Sequence, residues 1–539
     1  MDVRTVAIVG AGVSGVSSAI HLKNAGLEVT IFERGDVAGG VWVYNNRTAL
    51  EPSYPSTIPS TGDSPAFDAL LKATSRGARR DSPVDQDSID AKNSVDNNDL
   101  DILHAPPGFA FFPSFFSLSR KYLTDGLTFI SPCYIGLRNN VSTPEMKLRT
   151  HDWPPQTPDF VTHDVLATYI QDTAAANDVL PYIKFRTRVD NAEKKGNKWE
   201  VQSSRLVDGE IERVVQEFDA LIIASGHYHA PNIPNYPNLP AWKSAFPSRI
   251  SHSKVYRSPT PFAGKNVLVI GAGVSSTDIC RELGSVAAKI WQSSRGGEYD
   301  LLPSMLPENC TRVGGIASFS TLTSTSLLND DESIPSSVIL SSGEKLENIH
   351  QVILATGYHM SYPFLPHLHD DSATPEHASE EILVTTGQIT HNLHKDIFYI
   401  PDPSLAFIGV PYHVATFSLF EFQAMCVAAI FSGSASLPQQ QEMRKEYVER
   451  IARKGVGRAF HSLKDDEGEI AYVRDMVGIV NQGKKEGEKV KGHSKEWFEA
   501  YGRRLIRMKE TRGRKVEVEV KVKEKVAGPA EAVQNERVK

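Results

Sequence analysis

The sequence predicts an α/β protein built around two Rossmann-like units, and three observations carry that expectation. Residues 10–15 read GAGVSG and residues 271–276 read GAGVSS, 261 positions apart. Each copy follows a short apolar run of strand type, Val6–Val9 and Val267–Ile270, and precedes a helix-compatible stretch, Ser14–Ala25 and Ser275–Leu283. Each of those stretches leads to a second apolar run, Val29–Phe32 and Ala287–Trp291. One glycine-rich turn is weak evidence. Two in the same strand–turn–helix–strand context predict two dinucleotide-binding domains.

The bulk numbers agree with that architecture. A chain of 539 residues is too long for one ordinary core and suggests two to four domains. Hydrophobic content of 40% is that of a globular protein. A net charge of −7 with a pI of about 6.2 offers no basic field for nucleic acid. The four cysteines, Cys133, Cys280, Cys310 and Cys426, are scattered without a CxxC pair. A disulfide scaffold, a zinc site or any other metal site is therefore not expected. The strand-like run Thr5–Val9 begins almost at once, so no secretory signal is read, and no apolar run reaches 18 residues. Together these predict a cytoplasmic protein, with homo-oligomerisation left open.

Two regions stand apart from the repeat. Residues 45–130 read as an insertion, with a disordered stretch from Thr61 to Asp101 rich in Asp, Ser, Asn and Ala. The aromatic run GFAFFPSFF at 108–116 follows and reads as a buried loop or gene-model artefact in preference to a substrate-channel lid or membrane-touching loop. After about Asn481 the chain is lysine-rich, with the alternation VEVEVKVK at 516–523, and reads as a charged tail over 481–539, solvated or forming an edge strand, in preference to a binding patch because its charges are mixed.

In the first unit, Gly10, Gly12 and Gly15 supply the turn, the close approach to a pyrophosphate and the tight helix–strand packing. Glu33 ends the second strand, 23 residues after Gly10. A carboxylate there can accept from both ribose hydroxyls and repels a 2′-phosphate, so this site should take FAD or NAD and not NADP. In the second unit the turn is Gly271, Gly273 and Ser276, and the position equivalent to Glu33 is Ser294, followed by Arg295. A hydroxyl and a guanidinium in place of the acid remove the repulsion and add a bidentate donor, so this site should prefer NADPH.

Further motifs resemble one family. Glu33-Arg34 followed by Gly39-Gly40-Val41-Trp42 is similar to the FAD domain of flavin-containing monooxygenases. Phe246-Pro-Ser248, His252 and Tyr256 resemble that family's FxGxxxHxxx[FY] signature, with Ser248 in place of glycine. Related Baeyer–Villiger enzymes carry Trp and then Pro or Asp at the end of it, where this chain has Tyr256 and Arg257. The stretches Ala224-Ser-Gly-His227 and Ala355-Thr356-Gly357-Tyr358 resemble the points where the chain leaves and re-enters the FAD domain. Asp402–Pro411 and Glu421-Phe-Gln423-Ala resemble the C-terminal FAD strand and helix, and Ser131–Asn140 the segment of the active-site asparagine.

The resemblance implies an FAD domain at 1–227 and 335–480, with an NADPH domain at 228–334 inserted in it. It implies FAD contacts at Gly40, Trp42, Val189 and Gln423, cofactor handling at His252, Thr356 and Gly357, and Asn140 as the catalytic amide, neighbouring Asn139 making the register ambiguous. The activity implied is transfer of one oxygen atom from O2 to a soft nitrogen or sulfur of a small molecule through a C4a-(hydro)peroxyflavin, with specialised metabolism as one setting. The alternatives are a Baeyer–Villiger monooxygenase, separated by its ester product, and a non-catalytic FAD-binding protein, separated by NADPH consumption. A disulfide reductase would need a redox dithiol that no CxxC supplies.

Overall fold

The computed structural model describes residues 2–62, 130–208, 210–464 and 468–511. In chain order its strands are β1 (Thr5–Val9), β2 (Glu28–Phe32), β3 (Ile183–Lys184), β4 (Thr187–Lys195), β5 (Lys198–Val207), β6 (Glu210–Phe218), β7 (Ala220–Ile223), β8 (Ala230–Pro231), β9 (Ile250–His252) and β10 (Asn266–Ile270). Then follow β11 (Lys289–Ser293), β12 (Cys310–Val313), β13 (Ile316–Phe319), β14 (Val338–Leu340), β15 (Lys345–Leu346), β16 (Gln351–Leu354), β17 (Tyr358–His359), β18 (Leu393–His394), β19 (Phe398–Tyr399) and β20 (Leu405–Phe407).

Two sheets hold the two glycine turns. The first has the order β18-β19-β20-β7-β1-β2-β3, parallel from β20 to β3. The second, β12-β11-β10-β16-β9, is parallel throughout. The repeated strands sit at equivalent places: Val6 pairs with Val29 and Ala220, as Val267 pairs with Ile290 and Gln351. Their β-branched residues are buried on both faces, as parallel strands covered by helices require. A three-stranded antiparallel sheet, β4-β5-β6, is appended to the first unit.

The first helix, Val13–Asn24, packs against Thr416–Phe431, which is buried along nearly its whole length. That burial encloses Glu421, whose carboxylate accepts from the Thr150 hydroxyl at 2.9 Å and from the Thr150 N–H at 3.2 Å. The charge is therefore hydrogen-bonded where it is desolvated.

Three boundaries differ from the sequence expectation. Residues 45–62 belong to the fold and not to an insertion: Ser56 bridges Ile233, and the Ser361 hydroxyl donates to Pro59 O at 2.6 Å. The stretches expected as disordered insertion and aromatic run otherwise lie outside the described residues. The second unit continues to Leu354 and not to 334, because β16 pairs with both β10 and β9. The expected charged tail contains a packed helix, Lys495–Thr511. Its Trp497 is buried and donates to Glu145 O at 3.1 Å, and Arg504 meets the buried carboxylates of Glu145 at 2.8 Å and Glu469 at 3.6 Å. Composition concealed this because a few side chains of a lysine- and arginine-rich stretch make the attachment, with Arg503 meeting Asp159 at 3.7 Å and Arg507 lying over Phe160 beside Trp497 and Arg504. The run at 516–523 lies outside the described residues.

Candidate active site

The first glycine turn is a bare-backbone cradle. Gly10 has φ +103°, and a Cβ there would stand 2.6 Å from Ala224 O. A Cβ at Gly15 would stand 1.9 Å from Gly10 O, so the helix meets the strand without a side chain between them. Gly12 caps the first helix with no side-chain bond, which leaves first-turn N–H groups for a ligand. Across from it, Gly40 approaches so closely that a Cβ there would lie 3.0 Å from Gly12 Cα. The Gly39 N–H donates to Ala11 O at 3.0 Å, and the Trp42 ring meets Phe417 edge-on at 6.3 Å. The two glycines of the GG-x-W motif thus lie against the turn itself.

Glu33 sits at the end of β2, almost fully buried. Its Oε2 accepts from Ala11 N–H at 2.7 Å and its Oε1 from Gly35 N–H at 2.6 Å. Burial pushes its pKa up, against those N–H donors and the nearby Arg34 charge. A carboxylate has about four acceptor sites, so two remain for ribose hydroxyls. The carboxylate borders a cleft also lined by Gly35, Gly40, Tyr44, Asn45 and Arg47. Val189 is buried on β4 with Val9 and Phe32, two residues past Thr187, whose N–H donates to Glu33 O at 2.8 Å. The cradle and the spare acceptors fit an adenine dinucleotide.

The second turn repeats the plan with one change. Gly271 has φ +119°, and a Cβ there would lie 2.4 Å from Ala355 O; Gly273 faces open space. Ser276 stands where the first unit has Gly15. Its hydroxyl donates to Gly271 O at 2.5 Å and accepts from Gln292 Nε2 at 2.9 Å, so a hydrogen bond occupies the place of the glycine contact. Ser294 accepts from Gly296 N–H at 2.9 Å and donates to Asp300. Its hydroxyl shapes the loop, whereas Arg295 is exposed and has no ion pair among the described residues. The arrangement can receive a second dinucleotide, with Arg295 as the available cation.

The crossings between the units are built symmetrically. Ala224 and Ala355, which open ASGH and ATGY, each place a carbonyl over the first glycine of a turn. His252, at the end of β9, is fully buried; its Nδ1 accepts from Lys254 N–H at 3.1 Å. Nε2 therefore carries the proton and donates to Gly357 O at 3.1 Å. Burial and the Lys254 ammonium push its pKa down to about 3, so it is neutral at physiological pH. Thr356 donates to Asn232 O. Gln423 is buried: its Oε1 accepts from Gly409 N–H at 3.0 Å and its Nε2 donates to Tyr472 Oη at 2.7 Å, so its amide is committed to protein.

Asn139 and Asn140 separate cleanly. Asn139 is buried, donates to Val141 O at 2.7 Å and Asp159 O at 2.9 Å, and accepts from Val161 N–H at 2.6 Å. Asn140 is exposed, and no hydrogen bond holds its amide among the described residues. Sequence reading missed what holds this segment: Tyr134 Oη donates to Asp278 at 3.1 Å and Tyr256 Oη to Glu282 at 2.7 Å. The i, i+4 acids on the helix after the second turn were the available signal.

The model for flavin-binding monooxygenase-like proteins matches residues 124–305 and 328–485, and that for FAD-dependent oxidoreductases matches residues 5–60. The chain belongs to the flavin-containing monooxygenase family. The flavin-containing monooxygenase ustF2 of Aspergillus flavus is 40% identical over 523 residues, spanning 92% of this chain and 96% of that one. The flavin-containing monooxygenase iboF of Amanita muscaria is 29% identical, spanning 89% and 88%. Among solved structures, the S-allyl-L-cysteine S-oxygenase from Allium sativum superposes with a TM-score of 0.64 at 22% identity, covering 95% of this chain and 94% of its own. That likeness supports the two-unit fold. As a member of the family the enzyme is a flavin monooxygenase using FAD and NADPH, O2 and a small molecule. No described helix is long and apolar enough to cross a membrane.

Proposed function

We propose that the enzyme transfers one oxygen atom from O2 to a soft nitrogen or sulfur of a small organic substrate, with NADPH supplying two electrons and the second oxygen leaving as water. The observation that carries this reading is the pairing at 139–140: one amide is locked into the fold, and its neighbour is exposed on a segment pinned against the helix of the second turn. The Allium relative, named as an S-oxygenase, agrees with this substrate class.

In this reading Gly10, Gly12, Gly15 and Gly40 hold the FAD pyrophosphate, and Glu33 takes its ribose. Trp42 and Val189 close the walls, and Gln423 acts indirectly by fixing Gly409. Gly271, Gly273 and Ser276 form the turn for NADPH, Ser294 shapes the loop and Arg295 takes the 2′-phosphate. His252, Thr356 and Gly357 hold the joint between a first unit of 1–227 and 355–480 and a second ending at Leu354. The chemistry that bound FAD would supply is hydride acceptance and activation of O2. The residues orient the cofactors, exclude water and, at Asn140, offer an amide donor to the reacting oxygen.

The test is a panel of thioethers, amines and ketones with purified holoprotein, following NADPH loss and a product gain of one oxygen. S- or N-oxides are expected. Ester formation from a ketone would show the Baeyer–Villiger reaction, and no NADPH loss with any compound would show a non-catalytic flavoprotein.

A further inference from the structure

Arg257 spends every N–H of its guanidinium on backbone. Nε donates to Asn45 O at 2.8 Å, Nη1 to Lys254 O at 2.8 Å and Tyr256 O at 2.9 Å, and Nη2 to Arg47 O at 3.2 Å and Ser131 O at 3.1 Å. Its own carbonyl accepts from Ile135 N–H at 2.9 Å. The five carbonyls come from three separate segments. Asn45 and Arg47 line the cleft beside Glu33, Ser131 opens the segment that reaches Asn140, and 254–256 follow His252 at the edge of the second sheet.

The same segment leans on the Val274–Leu283 helix, which begins at the open Gly273. Tyr134 and Tyr256 bond Asp278 and Glu282, and their rings meet at 5.6 Å. At Gly136 a Cβ would lie 1.7 Å from Glu282 Oε1, so glycine is what admits the carboxylate. The Asn140 segment is thereby clamped between the wall of the first site and the helix of the second. Lysine could not reproduce the clamp: it has three donors on a flexible stem in place of five in a planar fork.

We propose that Arg257 is a positioning residue that fixes the Asn140 segment relative to both nucleotide sites, so that reduction and oxygen transfer share one geometry. The proposal rests on the reading of Asn140 given above. An error of about 1 Å in placing a reacting group costs up to roughly 100-fold, so loosening the clamp should divert electrons to hydrogen peroxide instead of stopping reduction.

The experiment compares Arg257→Lys, Arg257→Gln and Asn140→Ala holoproteins with wild type. In both Arg257 variants, deuterium uptake over 45–47 and 131–140 should rise about tenfold, and uptake over β1 and β2 should not. Anaerobic reduction by NADPH should stay within about twofold. Product formed per NADPH should fall about tenfold, with peroxide making up the difference. A lower melting temperature and FAD content with wild-type coupling per bound flavin would overturn the proposal and leave Arg257 structural. If Asn140→Ala leaks peroxide and Arg257→Lys does not, the clamp falls and the Asn140 reading stands. If Asn140→Ala is fully coupled, the Asn140 reading falls and this proposal with it. Should neither Arg257 variant yield holoprotein, Tyr134→Phe and Tyr256→Phe loosen the same segment from the helix side; peroxide leak is expected, and wild-type coupling in both would overturn the clamp.

Discussion

Glu33 Oε2 accepts the Ala11 N–H at 2.7 Å, tying the end of β2 to the turn that follows β1. One carboxylate thus shapes the turn and keeps acceptor sites for a ligand. Glu33→Ala leaves the Ala11 and Gly35 N–H groups without that acceptor, each worth about 1–3 kcal/mol if it stays buried. The variant should melt lower and be purified with little flavin. Wild-type melting and full flavin content would show that the carboxylate is dispensable.

Gly12 and Gly10 should respond differently to substitution. A Cβ at Gly12 meets Gly40 Cα at an ordinary 3.7 Å, so Gly12→Ala should fold. Gly12→Val should also fold but come out colourless, its branches filling the cradle. Gly10→Ala puts a Cβ 2.6 Å from Ala224 O at a positive φ and should fail to accumulate. The wild-type flavin should be noncovalent, so acid precipitation should leave it in the supernatant; flavin in the pellet would contradict this.

Arg295→Ala should raise the NADPH Michaelis constant roughly 10- to 100-fold, because a guanidinium–phosphate contact is worth about 1.5–3 kcal/mol. The side chain is exposed, so the melting temperature should not move. NADH kinetics should change little. Equal losses with both cofactors would remove Arg295 from the phosphate site.

Asn139→Ala and Asn140→Ala should fail in different ways. The first leaves the Val161 N–H and two carbonyls without their partner, at a cost of roughly 2–4 kcal/mol, and should lower the melting temperature. The second should melt like wild type, reduce normally under NADPH and leak peroxide. A thermally normal Asn139 variant that leaks would move the catalytic amide by one residue.

Glu469 gives a pH prediction. Burial raises its pKa from the ordinary carboxylate value of 4.5 to about 7, against the pull of Arg504 and the Ala415 N–H. The folded state therefore keeps a proton that the unfolded state has lost between pH 4.5 and 7. This group's contribution is fully present below the lower value and is lost as pH rises through the upper, by up to roughly 3 kcal/mol. Glu469→Gln should remove that slope from melting curves taken across the window. A slope unchanged by the substitution would assign it to other groups.

The two glycine turns and the strand ends that carry Glu33 and Ser294 were legible because the strand–turn–helix pattern is written locally, in spacings a few residues long. Asn139 and Asn140 were not separable by eye, since burial decides between them and burial comes from Val161 and Asp159, some 20 residues away. Gln423 read as a flavin contact from its motif alone, and its protein partners Gly409 and Tyr472, 14 and 49 residues away, lay beyond that motif. Arg257 read only as a mark of reaction type. Its five acceptors are backbone carbonyls, which leave no trace in residue identity.

The attachment of Trp497 and Arg504 bears on how the protein can be handled. Expression of a version shortened before Lys495 would leave Glu145 and Glu469 facing each other without their shared cation, and would leave Glu145 O without the Trp497 indole donor. Trimming for crystallisation should therefore spare the Lys495–Thr511 helix.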